Sequence, residues 1–227
     1  MSDPLRLAAF DLDGTLLDSA SSIVTGVLAC WEACGFPAAD KEHIRRIIGL
    51  PWQESICELL PGAGEIEFAQ IKAYHAEVAN GERPRPAREE SLFPGIVDVL
   101  NQVEEAGYLL SIITSRSSGR LQDLLDANGI GKRFITLKTT DNGPGKPNPF
   151  LMNQTLSELG IEKENAVMVG DTTFDMLMAR SAGTAAIGVS WGVHDPGELT
   201  EAGAHHVVDE VLQLPDTINL TVSVAAK

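Results

Sequence analysis

Ala9-Phe10-Asp11-Leu12-Asp13-Gly14-Thr15-Leu16-Leu17 is the stretch whose reading decides the fold. It closes an apolar run, Leu5-Arg6-Leu7-Ala8-Ala9-Phe10, that reads as a short buried strand. Asp11 and Asp13 stand two residues apart, so on an extended chain both face the same way. Gly14 lets the chain turn sharply, and a turn of this kind can offer backbone N–H groups to an anion. Two such acids repel by about 4 kcal/mol at ~4 Å and an effective dielectric near 20. A positive group must sit beside them, or one of them must hold a proton.

The chain has 227 residues, 44% of them hydrophobic, enough for one large domain or a domain carrying a smaller insertion. A net charge of -15 argues against a nucleic-acid backbone or an anionic membrane as partner. It leaves room for a small phosphorylated molecule, because a local site field can oppose the global one. The first residues lack the basic and apolar regions of a signal peptide, and no apolar run reaches the length of a membrane span. Cys30, Cys34 and Cys57 form no disulfide framework, so the expectation is a reduced, cytoplasmic protein.

Outward from the opening stretch the pattern turns helical. Ile23, Val27, Cys30, Trp31 and Cys34 share one face, and shorter helical pieces follow over 41–48 and 52–60. A longer helix is expected over 65–79, with Phe68, Ile71, His75 and Val78 as its buried face. No convincing strand falls between 19 and 91, and the charged, proline-bearing residues 80–90 read as a linker. From Phe93 onward helices and strands alternate, with strands expected over 108–114, 134–137, 166–170, 184–189 and 206–208. Alternation of this kind predicts an α/β domain, a mostly parallel sheet with helices on both faces. The core is then 1–17 plus 93–227, and residues 18–92 form a helical lid with its linkers. In such sheets ligands bind at the carboxyl ends of the strands.

Each expected strand end carries chemistry. The first delivers Asp11 and Asp13, and the second Thr114-Ser115-Arg116 at a helix start that favours anions. The third is followed by Lys146 in a Gly/Pro frame, and the fourth by Gly170-Asp171-Thr172-Thr173-Phe174-Asp175. Carboxylates, hydroxyls, a lysine and backbone N–H groups suit Mg²⁺ with a phosphoryl group. With Asp13 protonated and the other three acids ionised, Lys146 and Mg²⁺ would bring the cluster close to neutrality.

Asp11-Leu12-Asp13-Gly14-Thr15, Thr114, Lys146 and Gly170–Asp175 resemble, in order, the four motifs of the haloacid dehalogenase (HAD) superfamily. The helical insertion resembles its type-1 cap. Gly49-Leu50-Pro51-Trp52-Gln53-Glu54-Ser55 and Gly145-Lys146-Pro147-Asn148-Pro149 resemble the phosphoglycolate-phosphatase-like subgroup. The resemblance covers nearly the whole chain and implies a HAD-like Rossmannoid core. It implies that Asp11 is the nucleophile and forms an aspartyl-phosphate, and that Asp13 is the acid and base. Mg²⁺ is then held by Asp11, the Asp13 carbonyl and Asp171, with Asp175 binding through water or bracing Asp171 and Lys146. Gly14, Thr114, Ser115, Arg116 and Lys146 are the candidate substrate-binding residues, on a substrate such as phosphoglycolate or a sugar phosphate.

Other readings carry their own signatures. A phosphomutase of the β-phosphoglucomutase type keeps an acid at position 13, so the core motifs admit it. Dehalogenases and phosphonatases lack that acid. A phospho-Asp signalling module also uses acids, a Thr and a Lys, but has no helical lid. Arg45 and Arg46 read as solvated, with Arg116 the better candidate for a substrate carboxylate. His75 reads as a packed core residue, and His194 as a loop residue near the site.

Overall fold

The computed structural model describes residues 4–86 and 90–225. Strand β1 (Arg6–Phe10) forms where the apolar run was expected. Short β2 (Leu17–Asp18) leads into α1 (Ala20–Cys34), α2 (Lys41–Arg46), α3 (Trp52–Leu59) and α4 (Glu65–Ala79). Short β3 (Ser91–Leu92) returns the chain to α5 (Ile96–Glu105), β4 (Tyr108–Ile113), α6 (Leu121–Ala127) and β5 (Phe134–Lys138). There follow α7 (Phe150–Leu159), β6 (Ala166–Gly170), α8 (Thr173–Ala182) and β7 (Ala185–Val189). The last elements are α9 (Pro196–Glu201), β8 (His206–Val208) and α10 (Leu214–Ala225). Among the described residues, no helix is long and apolar enough to cross a membrane.

Six parallel strands form one sheet in the order β5-β4-β1-β6-β7-β8. The period-two geometry of a strand explains why β1 is apolar from Leu7 to Phe10. Ala8 and Phe10 join a core with α5, α6 and α10, whereas Leu7 and Ala9 join a core with α7, α8 and α9. Burial on both faces removes the polar alternation that a half-exposed strand would show.

Helices α1, α3 and α4 share a separate apolar centre built on Cys30, Trp31, Ile56, Ile71 and Tyr74. On α4 the buried aromatic is Tyr74, and His75, expected to be packed, is exposed. A shift of one residue turns a helical position by about 100°, enough to carry His75 off the buried stripe.

Two features escaped the pattern reading. The residues that join the helical segment to the core pair as an antiparallel ribbon, Leu17 with Leu92 and Asp18 with Ser91. Two residues are too few to show a period. The linker expected over 80–92 includes 87–89, which lie outside the described residues. The tail from Asp216 was assigned no role, yet α10 buries Leu214, Ile218 and Val222 against the sheet. Their i, i+4, i+8 spacing was a readable helical signal.

Candidate active site

The sheet order brings the chemistry together. β4, β1 and β6 are neighbours, so the residues that follow them meet at one edge. The Asp11 N–H donates to Val169 O at 2.9 Å, extending the β1–β6 ladder one step and fixing the direction of the acid. Asp11, Asp171 and Asp175 are buried, and each offers an oxygen within 4.8 Å of the others. Lys146 comes from the loop after β5 and is fully buried. Its Nζ lies 2.8 Å from Asp11 Oδ1 and 2.8 Å from Asp175 Oδ1.

Three carboxylates against one lysine leave a deficit of positive charge, and proton affinity reports it. Burial pushes the Asp11 carboxyl well above its ordinary range; Lys146 opposes the shift, and Asp175 and Asp171 add to it. Burial, reinforced by Asp175, raises Asp171 to about 7. Burial disfavours the Lys146 charge, but Asp11 and Asp175 outweigh it and hold the ammonium above its ordinary value.

Asp171 is aimed by four neighbours. Thr15 Oγ1 donates to Oδ1 at 2.8 Å, and the Val193 N–H donates to Oδ2 at 2.9 Å. Close backbone approach does the rest. A Cβ on Gly192 would lie 2.2 Å from the Asp171 Cβ, and one on Gly14 would lie 2.2 Å from Oδ2. Gly14 also has φ +82°, a region that disfavours side chains. Asp175 accepts from the Thr172 N–H at 3.1 Å and from Thr172 Oγ1 at 2.6 Å, closing a capping box at the start of α8.

Several expectations are corrected by these contacts. The Gly14 N–H donates to Leu17 O at 2.8 Å, so it is committed to the turn and not to a substrate anion; the missing side chain is what the site needs. Asp13 is not an outward-turned, protonated acid. Arg116 donates to it through Nε and Nη2, both at 2.5 Å, and Ser19 Oγ donates at 2.5 Å. Burial alone would raise this carboxyl, but the Arg116 charge and the hydrogen bonds from Arg116 and Ser19 outweigh it and hold it below its ordinary range. Arg116 also reaches Glu90 Oε1 at 2.8 Å, so it is held by two acids and is not turned to a substrate carboxylate. Ser115 Oγ donates to Gly49 O at 2.5 Å and so ties the helical lid to the core. Thr114 is buried beside Asp13 and Arg116, its Oγ1 accepting from the Arg116 N–H at 3.2 Å.

The lid is held at a second place. His194, expected near the site as a loop residue, is buried and bridges the two layers. Its Nδ1 accepts from the Thr173 N–H at 2.9 Å, which leaves Nε2–H to donate to Arg46 O at 2.8 Å. Arg45 donates to Gly192 O at 2.8 Å, and Arg46 pairs with Glu198. Neither arginine is simply solvated. Sequence reasoning missed Thr15, Ser19, Glu90, Gly192 and Val193. Thr15 stood in the opening motif, and the Ser190-Trp191-Gly192-Val193-His194 segment after β7, at the same sheet edge, carried a signal for Gly192 and Val193.

A family model described as "Haloacid dehalogenase-like hydrolase" matches residues 8–189. A Dickeya dadantii protein named "Probable phosphatase IndB" is 36% identical over 206 residues, covering 89% of each chain. A Vibrio parahaemolyticus protein named "Phosphoglycolate phosphatase" is 27% identical over 94% of this chain and 96% of its own. The crystal structure of a predicted phosphoglycolate phosphatase from Haemophilus somnus superposes with a TM-score of 0.82. It covers 96% of this chain and 99% of its own, and at 21% identity it speaks for the fold.

Proposed function

The chain belongs to the haloacid dehalogenase-like hydrolase family, and on that premise we propose that it is a Mg²⁺-dependent phosphatase of a small phosphorylated metabolite. One observation carries the reading: three buried carboxylates and one lysine converge at the end of β1, with Asp11 among them.

The donor set fits the metal. Asp11, Asp171 and Asp175 present hard carboxylate oxygens, and their surplus of two negative charges over Lys146 matches a divalent cation. Asp11 and Asp171 would hold it, with Asp175 bracing Lys146 or binding through water. Bound there, the metal supplies Lewis-acid shielding of the phosphoryl charge.

The chain's own residues do the rest. Asp11 attacks phosphorus and breaks the bond to the leaving oxygen, becoming an aspartyl-phosphate. Lys146 and Thr114 stand where phosphoryl oxygens would collect charge. Asp13, ionised against Arg116, is suited to take the proton of the water that hydrolyses the intermediate. To protonate the leaving alcohol first, it must part from Arg116, for which Glu90 is a second partner, and take up a proton from solvent, which it then passes to the leaving oxygen. The contacts of Ser115, Arg45 and His194 hold the helical segment against the core beside the site.

The test is inorganic phosphate release from a panel of phosphomonoesters, with Mg²⁺ and with chelator, and without any bisphosphate activator. Turnover should need Mg²⁺ and vanish in Asp11→Asn, and Asp13→Asn should lose roughly 10²–10⁴-fold in kcat. Full activity in Asp11→Asn, or indifference to chelator, would sink the mechanism. A requirement for a bisphosphate activator would make the enzyme a mutase.

A further inference from the structure

A cavity of about 320 Å³ begins at Asp11, Asp13 and Thr114 and runs upward into the lid. Its walls change character on the way. Beyond the catalytic end they are dominated by Ile23, Val27, Ile44, Ile56, Ile71 and Trp31. No lysine lines it, and its one arginine, Arg116, is held by Asp13 and Glu90. Arg45 and Arg46, the other arginines of the lid's core-facing side, are bonded to Gly192 and Glu198. Among the described residues, no lysine or uncommitted arginine here faces a substrate carboxylate, and the polar side chains of the upper wall, Ser55, His75 and Glu90, are outnumbered by apolar ones.

The size is also informative. An apolar cavity of about 150 Å³ suffices to bind benzene. This one is roughly twice that, and it is continuous with the reacting centre.

We propose that the substrate is the phosphate monoester of a predominantly apolar alcohol, larger than a benzene ring, whose body fills the lid cavity. This deepens the phosphatase reading and rests on it. It separates the chain from the relative named for phosphoglycolate, whose leaving group would be small and anionic.

The experiment is phosphate release by the wild-type enzyme with Mg²⁺ from ethyl, butyl, hexyl and octyl phosphate, with phosphoglycolate and a hexose phosphate alongside. The alkyl leaving groups have nearly the same basicity, so the series reads burial and not reactivity. We expect kcat/KM to climb by up to about fourfold per methylene, the equivalent of ~0.8 kcal/mol of apolar transfer, until the cavity is full. The polar esters should fall below hexyl phosphate. Val27→Trp, which fills the cavity, should flatten the climb. A flat alkyl series, or phosphoglycolate as the best ester, would overturn the inference and leave the phosphatase standing. Failure to hydrolyse any ester would instead remove the phosphatase reading itself.

Discussion

Replacing Lys146 with methionine keeps the length of the buried side chain and deletes its charge. The Nζ now stands 2.8 Å from both Asp11 and Asp175 with none of its side chain exposed, so no solvent would replace it. Breaking a buried pair by removing one partner typically costs about 3–5 kcal/mol, because the other charge is stranded. Here two acids are stranded, and Asp171 lies within reach of both. At roughly 2–4 °C per kcal/mol for a chain of this size, the melting temperature of the chelated protein should fall by about 6–20 °C. The stranded acids can escape by taking protons, so the loss should be greater at pH 8 than at pH 5. Removing one of them as well should recover part of it. Lys146→Met combined with Asp175→Asn should therefore melt above the single variant, a coupling that a double-mutant cycle measures. Mg²⁺ should stabilise Lys146→Met more than the wild type, since the cation then meets a larger charge deficit. Calorimetry with chelator and with saturating Mg²⁺ reads all four states. A fall of less than about 2 °C, or strict additivity of the two substitutions, would refute the charge argument.

Gly192→Ala should push Asp171 aside, since the new Cβ would sit 2.2 Å from that residue's own Cβ. The Mg²⁺ concentration for half-maximal activity should rise roughly 10–100-fold. Gly197→Ala, with nothing within 4 Å of its Cβ, is the control and should change nothing. The stability of the metal-free protein should depend on pH through Asp171. Its folded carboxyl keeps its proton up to about 7, whereas the unfolded one titrates near ~3.9. The favourable contribution is therefore complete below about pH 4 and is lost as pH rises through 7. Melting temperature with chelator should decline across that window, and Asp171→Asn should reduce the slope; a flat wild-type profile would contradict it. Asp13, whose pKa is lowered, acts in the opposite sense and only at more acid pH.

The positions of the four acids and the lysine were legible because they follow local rules. An apolar run becomes a strand, an acid at its end cannot be buried without a partner, and alternating elements place every strand end on one edge. Asp11, Lys146, Asp171 and Asp175 converge as those rules require. Asp13 did not follow them. Strand periodicity put it beside Asp11, but its fate depends on Arg116, a residue 103 positions away in sequence. The lid contacts are of the same kind: Arg45 with Gly192, and His194 between Thr173 and Arg46.

The sequence by itself determined the class of the fold, the run of helices that follows the first strand, and the residue types gathered at the strand ends. Periodicity and charge repulsion act over a few residues and can be read from them. Tertiary structure alone decided which acid is ionised against which cation, and why Gly14 and Gly192 must be glycine. It also showed that the space above Asp11 is walled mainly by apolar side chains of the helical segment. Burial, dielectric and hydrogen-bond completion belong to the assembled surroundings of an atom, and residues distant along the chain supply those surroundings.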